Sequence, residues 1–364
     1  MKRVIISGGG TGGHIFPAVA IADELKRQFP DIEILFVGAE GKMEMEKVPQ
    51  AGYKIIGLPI AGLQRKLTLK NFSLPFKIIK SIVLARKTLK EFKPEIAIGV
   101  GGYASGPTLK AASMLGIPTL VQEQNSFAGK TNMLLAKKAN TLCVAYDGME
   151  KFFPKEKIVL TGNPVRLEVT QMEGKRQEAF EFYGLDATKP TVLVIGGSLG
   201  ARTLNESIIS GIETLQSHGI QVLWQCGKLY FDELTNRLKG KDLTGIHLTQ
   251  FISRMDFAYA LGDVIVSRAG AISVSELCLV RKPVILVPSP NVAEDHQTHN
   301  AMALVNKQAA ILVKDVDARN TLVNTTVELI QNKDLQQKLS QNIMQLGKPD
   351  ATKDIVNEIK KIVP

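Results

Sequence analysis

The feature that most constrains the fold is a glycine cluster that occurs twice. Gly8-Gly9-x-x-Gly12 follows an apolar run at 4–7, and Gly196-Gly197-x-x-Gly200 follows a second at 191–195. Each cluster leads into a stretch with helical periodicity, 16–28 in the first case and from about Arg202 in the second. Pro17 falls in a first turn, where it is tolerated. A strand that turns through glycines into a helix opens a βαβ unit. Two such openings predict two Rossmann-like α/β domains rather than one long sheet.

The alternation continues behind each opening. Short apolar runs at 32–37, 95–99, 118–122 and 141–145 alternate with helical stretches such as 109–115 and 129–139. After the restart near residue 190, runs at 222–225, 247–250, 264–267, 284–287 and 310–313 repeat the scheme. Strands alternating with helices imply parallel, doubly wound sheets. The reading gives an N-terminal domain over 1–165 and a C-terminal domain over 166–345. The last stretch, 346–364, is expected to be a helix that packs back on the first domain, after Lys348-Pro349 interrupts the preceding one.

A chain of 364 residues is long enough for two such cores. Its three cysteines, Cys143, Cys226 and Cys278, are far apart and form no Cys-x-x-Cys. That speaks against a disulfide framework or a zinc site and for a reducing compartment. No run approaches the length of a membrane-spanning helix, and the apolar run at the start is too short for a secretory signal. The net charge of +10 is uneven. Residues 1–165 hold 23 Lys and Arg against 13 Asp and Glu, while 166–364 hold 22 against 22. The basic half should meet something anionic.

Several motifs sit where strands end. Gly8-x-Gly10-x-x-Gly13 has the spacing of a dinucleotide loop, which brings backbone N–H groups against an anion. The second strand ends Phe36-Val37-Gly38-Ala39, with no acid in the place a dinucleotide site wants one. His14 is open to two readings, a bystander at a helix start or a base that is neutral near pH 7. A second glycine cluster spans 99–107, so the basic half has two anion-ready turns, suited to a diphosphate. Glu123-Gln124-Asn125 follows another strand, where Asn125 could bond a sugar. In the second half, 267–277 places Gly270 at a helix start whose partial positive charge favours phosphate. Glu276, further along, could accept both hydroxyls of a ribose. The polar run 295–300 could line a sugar site but makes a poor metal site, and Asp315-Val316-Asp317 reads as a helix cap rather than a metal motif. The stretch 62–93 interleaves bases with apolar residues. It reads as an ordinary amphipathic helix or as a patch for acidic lipid, and few aromatics argue against nucleic acid.

Taken together, the motifs GGGTGGHIFPAVAIA (8–22), GVGGYASGP (99–107), EQNSFAGKTN (123–132), TGNPVR (161–166), GGSLGARTLN (196–205), SRAGAISVSEL (267–277) and DHQTHNA (295–301) resemble the MurG family of bacterial peptidoglycan glycosyltransferases. They run in order over nearly the whole chain. The resemblance implies a GT-B architecture, two Rossmann-like domains facing across a cleft. It implies inverting transfer of N-acetylglucosamine (GlcNAc) from UDP-GlcNAc to the muramoyl 4-hydroxyl of lipid I, an undecaprenyl-diphosphate-linked acceptor, giving lipid II. No cofactor and no catalytic metal are implied. The implied place is peripheral, on the cytoplasmic face of the cell membrane, on an anionic surface, with other cell-wall synthesis proteins as candidate partners. Donor contacts carried over by motif are Thr11, Gly12, Gly13, Asn125, Arg166, Ser198, the Ile252 backbone, Ala271, Ile272, Ser273, Val274, Ser275, Glu276 and Gln297. His14 is the candidate base, with Tyr103 near the reacting end. Gly10, Gly102 and Ser105 are candidates for the acceptor diphosphate. Two positions depart from the family pattern: Gln122 stands where many members have His, and His296 where some have Gln. A UDP-GlcNAc 2-epimerase, a lipid-binding module and an NAD-dependent oxidoreductase are the competing readings.

Overall fold

The computed structural model describes residues 1–60, 74–165 and 171–363. The chain divides into two compact units, Met1–Val165 with Lys348–Pro364, and Arg166–Gly347.

The first unit begins with β1 (Arg3–Ser7), α1 (Gly12–Gln28), β2 (Glu33–Ala39), α2 (Glu44–Gln50) and β3 (Lys54–Leu58). It continues with α3 (Leu74–Phe92), β4 (Ile96–Gly99), α4 (Ser105–Met114), β5 (Thr119–Glu123), α5 (Lys130–Ala136), β6 (Thr141–Val144) and β7 (Ile158–Leu160). The strands form one parallel sheet in the order β3-β2-β1-β4-β5-β6-β7. Because alternate residues face opposite sides of a strand, Val4 and Ile6 pack under α1 while Ile5 packs under α3 and α4. Both faces of the central strands are covered, so they read as unbroken apolar runs.

The second unit repeats the scheme: α6 (Arg176–Tyr183), β8 (Thr191–Ile195), α7 (Arg202–Ser217), β9 (Gln221–Gln225), α8 (Phe231–Leu238), β10 (Ile246–Thr249) and α9 (Met255–Leu261). Then come β11 (Val264–Ser267), α10 (Ala271–Val280), β12 (Val284–Leu286), α11 (His296–Val305), β13 (Ile311–Leu312), α12 (Asp315–Gln331) and α13 (Lys333–Met344). Its parallel sheet runs β10-β9-β8-β11-β12-β13. Pro349 precedes the last helix, α14 (Ala351–Ile362), whose Ile355, Val356 and Ile359 join the core beneath α1 in the first unit.

In each sheet the chain order reverses beside the first strand, between β1 and β4 and between β8 and β11. At such a switch point two neighbouring loops leave the carboxyl edge toward opposite faces and open a crevice for a ligand. The glycine clusters at 8–13, 99–106 and 196–200 and the Gly270 turn all fall at these two places.

The sequence reading misses β3 and β7. Both are edge strands, partly exposed along most of their length; Gly57 interrupts the apolar run of β3, and β7 has three residues. Helix α1 also starts earlier than 16. Thr11 is extended and its carbonyl accepts from His14 and Ile15 N–H, which draws Gly12 and Gly13 into the first turn. All three cysteines are buried and free. Burial pushes the Cys226 and Cys278 thiols up to about 11 and about 12. Among the described residues no helix is long and apolar enough to cross a membrane.

Candidate active site

At the first switch point the two glycine loops pack backbone against backbone. A Cβ on Gly102, whose φ is +86°, would sit 2.3 Å from the Gly9 carbonyl oxygen. Only glycine permits that approach. No side chain caps α1, and the Gly12 and Gly13 N–H groups lie in its first turn, outside the helix's own ladder. His14 is half-buried, with Nδ1 2.9 Å from the Gly9 carbonyl and 3.5 Å from Thr11 Oγ1. Its ring also lies against Gly101, where a Cβ would come within 2.9 Å of Nε2. Tyr103 is exposed on the β4–α4 loop.

Two of the acceptor-side expectations are corrected here. Gly10 N–H is taken up within the protein, donating to the Glu44 carboxylate at 2.8 Å. Ser105 is fully buried, with its Oγ packed near Gly99. An N–H already held by a carboxylate is closed to phosphate, and a sealed hydroxyl cannot reach one.

The carboxyl end of β5 holds a buried polar cluster. Glu123 Oε1 accepts from Asn125 N–H (3.0 Å) and Asn125 Nδ2 (3.2 Å). Its Oε2 accepts from Gly129 N–H (3.0 Å) and Asn132 Nδ2 (2.9 Å). Four donors offset the cost of burying this carboxylate and fix the loop that carries Asn125. Gln122, the departure from the family pattern, donates to Asn163 Oδ1 at 2.9 Å. Asn163 in turn donates to the Gln124 carbonyl at 2.9 Å.

At the second switch point α10 starts from Gly270 with no side-chain cap. The N–H groups of Ala271, Ile272 and Ser273 therefore form an anion-ready end. Ser275 Oγ turns back to the Ala271 carbonyl and Val274 is buried, so both serve the helix. Glu276, half-buried, accepts a hydrogen bond from the Tyr259 hydroxyl at 3.2 Å, and Tyr259 itself is buried. Gln297 Oε1 accepts from Ala269 N–H (3.2 Å) and Ser289 N–H (2.9 Å), while Asn300 Nδ2 donates to the Ala269 carbonyl (3.3 Å). These two members of the polar run 295–300 thus hold the turn before α10. The Ile252 N–H reaches Gln225 Oε1 at 3.4 Å. Ser198 is exposed on the β8–α7 turn, which locks to the next loop through Lys228 N–H and the Ser198 carbonyl at 3.0 Å. Arg166 lies outside the described residues.

Asp315 ion-pairs with Arg268 and accepts from Thr203 Oγ1 at 2.9 Å. It is a tie between elements rather than the expected helix cap: α12 begins at Asp315 itself, and Lys314 stands at the cap position. Among the described residues no three His, Cys, Asp or Glu side chains gather into a group that could hold a metal. Glu44 and Tyr259 are the site residues that sequence reasoning missed. Glu44 left one trace: Gly38 stands where any Cβ would come within 2.5 Å of its Cγ.

Two parallel α/β units with uncapped helix starts at their switch points make up the GT-B architecture. Models of the glycosyltransferase family 28 N-terminal and C-terminal domains match residues 4–144 and 191–355. The chain belongs to that family, among the UDP-N-acetylglucosamine–N-acetylmuramyl-(pentapeptide) pyrophosphoryl-undecaprenol N-acetylglucosamine transferases. The Phocaeicola vulgatus enzyme of that name is 57% identical over 361 residues, covering 99% of this chain and 96% of the other. The crystal structure of Acinetobacter baumannii MurG superposes with a TM-score of 0.81 at 31% identity, covering 99% of this chain and 100% of that one. The UDP-GlcNAc 2-epimerase of Neisseria meningitidis, at 16% identity and a TM-score of 0.67 over 99% of this chain and 100% of that one, shares the fold alone.

Proposed function

We propose that the protein transfers GlcNAc from UDP-GlcNAc to lipid I, forming lipid II. The observation that carries the reading is the start of α10, where open N–H groups and Glu276 lie on one helix, the first suited to a diphosphate and the second to ribose hydroxyls. Ser198, the Ile252 backbone and Gln297 lie on the same unit as further donor contacts, and the family motifs add Thr11, Gly12, Gly13, Asn125 and Arg166. Tyr259 holds Glu276 so that its carboxylate meets the ribose without first giving up rotamer freedom.

The reaction is a single displacement with inversion. The 4-hydroxyl of the acceptor sugar loses its proton to His14 Nε2 as its oxygen bonds to the anomeric carbon. The bond from that carbon to the diphosphate oxygen breaks on the opposite face, and UDP leaves. The charge that develops on UDP is met by the fixed dipoles at the start of α10. The membrane side of the work falls to α3, where Phe76, Ile79 and Val83 are 76%, 61% and 63% exposed among Lys77, Lys80, Arg86 and Lys87. Apolar residues set among bases suit an anionic lipid surface, which attracts each base by about 1 kcal/mol. The bases at 65, 66 and 70 lie outside the described residues.

The test is a split between two variants. His14→Ala should lower kcat by about 10²–10⁴-fold with UDP affinity held within about twofold. Glu276→Ala should lower UDP affinity by about tenfold or more, the worth of hydrogen bonds to a charged group. Parallel loss of turnover and UDP affinity in His14→Ala would sink the assignment of the base.

A further inference from the structure

Glu44 is a carboxylate with 1% of its surface exposed, and no step of the proposed reaction uses it. Its Oε1 accepts from Ala39 N–H at 3.0 Å, at the end of β2, and its Oε2 accepts from Gly10 N–H at 2.8 Å. The carbonyl of that same peptide group, on Gly9, lies 2.9 Å from His14 Nδ1. A carbonyl can only accept. The hydrogen is therefore on Nδ1, and Nε2 carries the lone pair that a base needs. The peptide is conjugated, so an anion drawing on its N–H pushes electron density onto its oxygen and strengthens the bond to the ring.

We infer that Glu44 is a positioning residue for His14, acting through the Gly9–Gly10 peptide. Carboxylate, peptide and imidazole form one hydrogen-bonded chain that fixes the tautomer and aims Nε2. The packing leaves it no slack. A Cβ on Gly9 would meet the Glu44 carboxylate at 2.2 Å, and one on Gly102 would meet the Gly9 carbonyl oxygen at 2.3 Å. Thr11 Oγ1, at 3.5 Å, is the longer and weaker neighbour of Nδ1. The inference rests on the reading of His14 as the base.

Two measurements test it. In the ¹⁵N-labelled unaltered protein, the imidazole signals of His14, assigned by their loss in His14→Asn, should report the Nδ1–H tautomer. An Nε2–H ring would overturn the inference, whether or not any Glu44 variant folds. The second is a double-mutant cycle with Glu44→Gln, which keeps the volume but turns an amide N–H₂ toward one of the two N–H donors. Its kcat should fall by about tenfold or more, part of what a positioned base supplies, with KM for UDP-GlcNAc within about twofold. The variant combining Glu44→Gln with His14→Ala should be no slower than His14→Ala alone. A further tenfold loss in that combination means Glu44 acts on something other than His14, and the inference fails while the base stands. An unchanged kcat in His14→Ala removes the base itself, and the tautomer then describes a structural chain only.

Discussion

Gly200→Ala probes the turn that opens the second unit. Gly200 has φ +90°, and a Cβ there would stand 2.1 Å from the Cys226 carbonyl oxygen and 2.6 Å from Tyr230 Cδ2. Two costs add. A left-handed backbone on a residue with a Cβ costs about 1–2 kcal/mol. Forcing an atom into backbone that has to move costs about 1–3 kcal/mol more. The sum is about 2–5 kcal/mol. Gly219→Ala is the control: its φ is +66° but nothing lies within 4 Å of the new Cβ, so only the first cost applies. The single tryptophan of the chain, Trp224, reports both. It is fully buried in β9, and its Nε1 donates to Asn205 Oδ1 at 3.0 Å. In urea titrations followed by Trp emission, with a slope of about 1–3 kcal/mol per molar, Gly200→Ala should lower the midpoint by about 1–2 M. Gly219→Ala should lower it by less than half as much. Equal shifts in the two variants would refute the claim that the β8–α7 turn is held by backbone contact.

Four further outcomes are expected. Tyr259→Phe should weaken UDP binding by up to about tenfold in calorimetry, because Glu276 must then be ordered on binding, and should lower fold stability by about 1.5–3 kcal/mol, the worth of a hydrogen bond to a charged group. Transfer of GlcNAc by protein treated with EDTA should continue, because the α10 start meets the diphosphate charge; complete loss restored by a divalent ion would refute this. Replacing Phe76 and Ile79 by Ser should reduce flotation with anionic vesicles while leaving turnover on a water-soluble acceptor unchanged. Asp256 accepts from Arg254 (2.8 and 2.9 Å) and Lys175 (2.9 Å), and these bonds hold its carboxyl well below the usual carboxylate range. A depressed pKa stabilises the fold above the unfolded value and is lost as pH falls through the folded one. The gap between parent and Asp256→Asn, about 1 kcal/mol for a solvent-screened pair, should be constant above about pH 5 and shrink below about pH 4.

What the sequence made legible follows from burial. Inner strands such as β8 and β11 are apolar on both faces, and their limits can be read residue by residue. The strands β3 and β7 are harder to read, since Gly57 breaks the apolar run of one and the other is three residues long. Glycine turns were legible because strand, glycines and helix are adjacent in the chain. Glu44 was not, because its partner is a backbone N–H thirty-four residues earlier and no side-chain pattern records that. The same reason explains the run 295–300. Its polarity was visible, but Gln297 and Asn300 sit three apart on one helix face and turn toward the backbone of Ala269, a direction that only the fold supplies. The acid missing from the end of β2 has a physical counterpart too. A carboxylate does reach that region, from the start of α2, but it lies beneath the glycine loop and takes the N–H that a dinucleotide phosphate would need.

Transfer to an acceptor is the defining step of the proposed reaction, and UDP release measures it directly. Protein given UDP-GlcNAc alone should release almost no UDP. Adding a lipid I analogue should start release, with one GlcNAc appearing on the analogue for each UDP formed and with inverted, β configuration at its anomeric carbon. UDP release at the same rate without the acceptor, or conversion of UDP-GlcNAc to its 2-epimer, would contradict it.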